Sequence, residues 1–235
     1  MGKKDAVWIT GASSGIGLAI TKKLSQSDYN IIASARRIKP IEEINNEFNL
    51  SSKILAIQND ISDFADLSEK ISKVKNEYNI NCLINNAGIS SFKPFAENSI
   101  EEIDQIIKVN LLGSIYTVKL VLPEMILNKS GTIINILSVA AKKTLKNSSV
   151  YAASKSGLDY FSRDLREEVR EHNIKIINIF PGATSTEIWP EKVLAKYSSK
   201  MMQAENIADF ISNILKIEGN MVPEEILLRP ITGDL

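Results

Sequence analysis

Short apolar runs alternate with longer amphipathic stretches along the whole chain. Residues 6–10 (Ala-Val-Trp-Ile-Thr) read as a buried strand that breaks at Gly11, and residues 16–24 then carry apolar side chains at helical spacing. The alternation continues to the end. Strands are expected over 30–35, 53–58, 82–85, 132–137, 175–180 and 225–228. Helices are expected from about Pro40 and over 63–78, 100–128, 150–172 and 204–216. The strands are almost continuously apolar and β-branched, as parallel strands covered on both faces must be. Strand–helix alternation with right-handed crossovers implies an α/β fold: a Rossmann-type, doubly wound parallel sheet of about seven strands with helices on both faces. No repeat, low-complexity tract or linker interrupts the pattern, so residues 1–235 are expected to form a single domain. Residues from about 186 to 204 mix Trp189, Val193, Leu194, Tyr197, Met201 and Met202 with lysines, the make-up of a lid over an apolar pocket.

Charge narrows the partners. The 28 basic and 28 acidic residues cancel, so there is no basic field for nucleic acid or an anionic membrane. The longest apolar stretch is interrupted by Lys119 and Glu124, and no membrane-spanning segment is expected. The first residues lack the apolar core of a signal peptide, and Ala6 stands where a myristoylation signal needs a hydroxyl, so a cytoplasmic location is expected. One cysteine, Cys82, and one histidine, His172, rule out a disulfide framework and a zinc site built from those ligands.

Three stretches carry candidate chemistry. Thr10-Gly11-Ala12-Ser13-Ser14-Gly15-Ile16-Gly17 follows the first strand and opens the first helix, where glycines permit a tight turn and the helix N-terminus attracts a pyrophosphate. The same stretch also matches the G-x-S-x-G elbow of serine hydrolases, with Ser13 as nucleophile and His172 as the sole candidate base. Tyr151 and Lys155 lie one helical turn apart on a common face, the only tyrosine of six with a lysine at that spacing. A neighbouring ammonium lowers a phenol's pKa, which would make Tyr151 a usable acid or base. The second strand ends Ser34-Ala35-Arg36-Arg37 with no carboxylate between Asn30 and Pro40. NAD-preferring Rossmann proteins place an acid there for the ribose hydroxyls, whereas arginine suits a 2′-phosphate. Arg36 and Arg37 therefore point to NADP(H).

With Asn86-Ala87-Gly88 after the fourth strand, Asp60 after the third, Asn110, Ser138, and Pro181-Gly182 in order, the chain resembles the short-chain dehydrogenases/reductases (SDR) over nearly its whole length. The resemblance implies an oxidoreductase that interconverts a carbonyl and a secondary alcohol by hydride transfer. Asn110, Ser138, Tyr151 and Lys155 would be catalytic: Ser138 orients the substrate oxygen, Tyr151 exchanges its proton, Lys155 stabilises the phenolate and holds ribose hydroxyls, and Asn110 braces a water chain. Gly11, Ser13, Ser14, Gly15, Ile16 and Gly17 would surround the pyrophosphate, and Asp60 and Ile61 the adenine. Asn86, Ala87 and Gly88 would pack along the ribose, and Pro181, Gly182, Thr184 and Thr186 would hold the carboxamide. Residues 140–149 and 188–202 would meet the substrate. The segment 225–230 is similar to that of members acting on small 3-hydroxy or 3-oxo acids, with acyl derivatives and other carbonyls also open. Paired long helices carrying Val118, Leu122, Met125, Leu158, Phe161 and Leu165 would make the protein a homodimer or homotetramer. A non-catalytic NADP(H)-binding regulator and the Ser13 hydrolase are the other two readings.

Overall fold

The computed structural model describes residues 2–48 and 54–233. Seven strands form one parallel sheet: β1 (Lys4–Thr10), β2 (Asn30–Ala35), β3 (Ile54–Gln58), β4 (Tyr78–Asn85), β5 (Gly131–Ile136), β6 (Ile174–Pro181) and, last in the chain, β9 (Glu225–Leu228). Their order across the sheet is β3-β2-β1-β4-β5-β6-β9. The chain winds outward from β1 to β3, then returns to lay β4 against the other side of β1. That reversal opens a crevice at the carboxyl ends of β1 and β4, where open α/β sheets bind ligands.

The period-two alternation of β1 divides the core. Val7 and Ile9 face α1 (Gly15–Ser25), α2 (Lys39–Phe48) and α8 (Ala204–Ile214), packing with Ile20, Leu24, Ile41, Ile207 and Ile211. Ala6 and Trp8 face the other layer, α3 (Phe64–Val74), α4 (Ile100–Ile107), α5 (Gly113–Asn128) and α6 (Ser149–Val169), packing with Leu67, Ile71, Val121, Met125 and Leu165. Trp8 is fully buried, and its indole N–H donates to the Ser34 hydroxyl at 2.9 Å. Burial pushes the Cys82 thiol up to about 12, as befits a core residue.

Several boundaries depart from the pattern. The expected strand 53–58 begins at Lys53, outside the described residues; its remainder is β3. The expected helix 63–78 ends at Val74, because Tyr78, Asn79 and Ile80 already pair with Lys4, Asp5 and Ala6 as the start of β4. The asparagines Asn79 and Asn81 hide this strand from a hydrophobicity reading, and the pairing shifts register between Ala6 and Val7. The expected helix 100–128 is continuous but changes winding: α4 passes into a π-helical stretch at Lys108–Leu112 before α5. A Ser99–Glu102 capping box starts it, and Lys129 in the left-handed region (φ 48°) ends it. By length and composition this helical run of 29 residues could cross a membrane, yet Thr117, Val118, Val121 and Met125 are buried against the sheet.

Between β6 and α8 the chain leaves the sheet. β7 (Thr184–Ser185) pairs with β8 (Met202–Gln203), so the excursion is closed at its root, and α7 (Glu191–Tyr197) lies within it. The apolar surplus expected on the long helices is absent at four of its six positions: Val118, Met125, Leu158 and Leu165 are buried within the subunit, while Leu122 and Phe161 are half-buried. Helical spacing alone does not tell which flank of an apolar stripe meets the sheet.

Candidate active site

A cleft of about 770 Å³ runs over the carboxyl ends of the strands, from Arg36 and Arg37 at one end to Tyr151 and Trp189 at the other. Its floor is the glycine turn. Gly11 (φ 64°) and Gly15 (φ 50°) adopt the left-handed region that favours glycine. A Cβ on Gly11 would lie 2.7 Å from the Ala87 Cα, so glycine is what lets the two loops close together. Asn86 pins them, donating from its amide to the carbonyls of Thr10 (3.0 Å) and Gly11 (3.1 Å). Thr10 Oγ1 in turn accepts from the backbone N–H groups of Asn86 and Ala87, both at 3.1 Å. Ser14 is the N-cap of α1 but its side chain makes no capping bond, and the first turn contains no acid. A helix N-terminus left open on a cleft is suited to an anion. Ser13, Ser14, Gly15 and Ile16 line this part of the wall.

Gly17 does not. A Cβ there would lie 2.3 Å from the Gly11 carbonyl oxygen and 2.4 Å from the Asn86 amide nitrogen. Off the cleft wall, its place is a packing one: it lets α1 lie against the turn.

At the far end Arg36 and Arg37 are exposed and line the cleft beside Ser34. Arg37 makes a loose ion pair with Glu187 at 3.4 Å. Asp60 and Ile61 lie on the wall as expected. Burial pushes the Asp60 carboxyl up, but bonds from the Ser62 hydroxyl (2.6 Å) and N–H (2.9 Å), with the Arg36 charge, hold it below its ordinary value.

The opposite end holds the tyrosine. Ser138 follows β5 in extended backbone, and its hydroxyl accepts from the Ala140 N–H at 3.1 Å. Tyr151 sits in the first turn of α6, buried, with its phenol hydrogen-bonded by Ser138. Lys155 is also buried, and its ammonium donates to the Ile136 carbonyl at 2.8 Å, lying 6.0 Å from the Tyr151 ring centre. The expected lowering of the phenol pKa is not what this arrangement yields. Burial raises the Tyr151 pKa, against a lesser lowering by Ser138, and burial brings Lys155 down to about 8. Helix spacing put the two residues on one face; it did not foresee that a β-strand carbonyl would take the ammonium.

Asn110 does not line the cleft and is fully buried in the π-helical stretch. Its amide closes a two-way bond with Ile89, accepting from the N–H and donating to the carbonyl, both at 2.8 Å, and donates to Ser154 at 3.0 Å. The side chain therefore clamps the loop after β4 to α6. Gly88, Pro181, Gly182, Thr184 and Thr186 line the cleft as expected.

The substrate wall differs from expectation. Of residues 140–149 only Leu145 reaches it, and of 188–202 only Ile188 and Trp189. Met201 is buried, and Met202 packs on the α1/α8 side of the core. Phe92 was missed. Its ring stacks on Trp189 (centroids 4.7 Å apart, planes at 9°) and meets Tyr151 edge-on at 5.8 Å. A lone phenylalanine in a loop has no periodicity to mark it.

A family model described as short chain dehydrogenase matches residues 5–196. A sepiapterin reductase of Chlorobaculum tepidum is 32% identical over 241 residues, covering 99% of this chain and 98% of that protein. The closed form of a serine dehydrogenase complexed with NADP+ superposes with a TM-score of 0.91 at 26% identity, over 98% of this chain and 96% of its own. A metagenomic short-chain oxidoreductase in complex with NADP gives 0.83 at 28% identity, over 97% and 96%.

Proposed function

The chain belongs to the short-chain dehydrogenase family, and from that membership we propose an NADP(H)-dependent oxidoreductase that interconverts a carbonyl and a secondary alcohol. The observation that carries this reading is the buried Tyr151 phenol on Ser138, with Lys155 one turn further along α6, at the end of a cleft floored by an open helix N-terminus. The cleft fits a dinucleotide phosphate. Gly11 and Gly15 let the turn approach Ala87 and Thr186 closely, the N-terminus of α1 is free for a pyrophosphate, and Arg36 and Arg37 follow β2 where a 2′-phosphate would lie. Two similar structures contain NADP, which supports the same choice here.

The bound reduced nicotinamide would supply a hydride to the carbonyl carbon. Ser138 donates to the substrate oxygen and fixes its direction. Tyr151 gives that oxygen a proton, and its raised pKa keeps the phenol protonated and ready for reduction at neutral pH. The Lys155 ammonium stabilises the phenolate left behind and offers donors to ribose hydroxyls. Asn110 positions: it holds Ile89 and Ser154, and so fixes α6, which carries Tyr151 and Lys155, against the loop after β4. The root of the lid, residues 186–189, closes the cleft, with Ser90 donating to the Ile188 carbonyl at 3.3 Å.

The similarity to enzymes of small 3-hydroxy acids rested on residues 225–230. These form the outer strand β9 and its exit, where Glu225 pairs with Lys142 and the Leu228 carbonyl accepts from Gly182, off the cleft wall. The hydrolase reading loses its base. Ser13 lies at the carboxyl edge of the sheet, whereas His172 precedes β6 at the opposite edge, 3.6 Å from Glu171. A pure NADP(H)-binding regulator has no use for a Ser–Tyr–Lys set with a buried phenol and ammonium. A panel of ketones and aldehydes with NADPH, followed at 340 nm, tests the reading: consumption with some carbonyls is expected, and tight NADPH binding with none consumed would favour the regulator.

A further inference from the structure

Apart from the buried Lys155 ammonium, the charged side chains of the cleft gather at one end. Arg36, Arg37, Asp60 and Glu187 gather at the end of β2 and at the lid root beside it. Around the Tyr151 hydroxyl the wall is Phe92, Val139, Leu145, Ile188 and Trp189. The polar groups that reach this end are already engaged. The Trp189 indole N–H donates to the Thr184 carbonyl at 3.0 Å, Ser90 donates to Ile188, and the Lys155 ammonium donates to Ile136. Nearby cations are engaged as well: Lys93 pairs with Glu102 at 2.7 Å, and Lys142 with Asp159 at 2.9 Å and Glu225 at 3.0 Å. What remains for a substrate is two hydroxyls, Ser138 and Tyr151, both committed to the carbonyl oxygen, and an aromatic face. A carboxylate entering here would lose its water and meet no partner, whereas a flat neutral group would gain stacking area.

Resting on the oxidoreductase reading, we infer that the substrate class is an uncharged ketone carrying an aryl or branched apolar substituent. Its flat group lies along the Phe92–Trp189 pair while its oxygen meets Ser138 and Tyr151. Free oxo acids are rejected because the wall that receives the substituent is apolar and aromatic, and their neutral esters are accepted.

A matched pair tests this: methyl 4-acetylbenzoate against 4-acetylbenzoate, which share ring and ketone and differ in one charge. Two readouts are taken on the full chain. The first is tryptophan emission with NADP+ present. The chain's two tryptophans are Trp8, fully buried beneath the sheet, and Trp189, so quenching that disappears in Trp189→Phe reports contact at the wall. The second is NADPH consumption. The ester should quench and be reduced, with kcat/KM about tenfold or more above the acid, since desolvating an unpaired charge costs at least that factor. Trp189→Ala should raise KM for the ester several-fold and leave the NADPH dissociation constant unchanged; Phe92→Leu serves if that variant does not fold. Acid bound and reduced as well as ester would overturn the substrate class and leave the oxidoreductase reading standing. Ester that quenches without being reduced would uphold the binding site and count against the chemistry. Failure of the ester both to quench and to be reduced would overturn the inference.

Discussion

Lys155 is 4% exposed, and its pKa falls from 10.5 to about 8 because burial disfavours the ammonium. The folded state therefore binds fewer protons than the unfolded chain between about pH 8 and 10.5. Stability rises across that window, and below it the full cost of burial is present. A shift of this size corresponds to about 3 kcal/mol. Lys155→Met should thus melt higher than wild type at pH 7, by about 1–2 kcal/mol after the Ile136 carbonyl loses its donor. The difference should narrow as pH rises toward 10, and a variant that melts lower at pH 7 would contradict this account. Arg36 makes the second residue-scale prediction. A charge-assisted bond to a 2′-phosphate is worth about 1.5–3 kcal/mol, so wild type should prefer NADPH over NADH by roughly tenfold to hundredfold. Arg36→Asp should erase or reverse that preference in measured dissociation constants, and equal or tighter NADH binding by wild type would show that Arg36 has another role.

Among the elements, the junction of β1 and α1 is the least tolerant of added volume. Gly17→Ala would bring a methyl against the Gly11 carbonyl, which is backbone, and the Asn86 side-chain amide, which is held by the Thr10 and Gly11 carbonyls. The expected loss is about 1–3 kcal/mol in denaturant unfolding, with weaker cofactor binding as the turn shifts. An unchanged midpoint would show that α1 can move away freely. The same junction shows what could be read from residues alone. Strand-then-glycine marked the turn and its ligand class, because backbone conformation there depends on glycine. Which glycine faces the cleft depends on where Asn86 arrives from β4, 69 residues later, and no local pattern encodes that. The start of β4 was hidden by asparagines at strand positions, and the π-helical stretch around Asn110 by an apolar periodicity that a change of winding barely disturbs. Asn110 was named by the resemblance, but only its bonds to Ile89 and Ser154 disclose a clamp.

Across the molecule, the doubly wound order brings to one cleft residues as far apart in sequence as Gly11 and Trp189. The candidate catalytic and cofactor motifs were legible because each needs a particular residue at a particular strand end. The aromatic wall was not, since Phe92 and Trp189 meet only when the lid root folds over the loop after β4. The expected association of subunits would rest on what the outer helix faces leave uncovered: Leu122, Ile126 and Phe161 are half-buried and Tyr160 is 64% exposed. Light scattering at micromolar concentration should give a dimer or tetramer, and a mass of 26.0 kDa would show these faces to be solvent-facing. In the proposed mechanism the activity of the whole chain depends on one proton. Rapid mixing of protein and NADPH with methyl 4-acetylbenzoate, in wild type and Tyr151→Phe, follows it most directly. The variant keeps the ring that packs on Phe92 and loses only the hydroxyl. It should bind NADPH as wild type does and consume it about 10²–10⁴-fold more slowly. Consumption at the wild-type rate in Tyr151→Phe would contradict the mechanism.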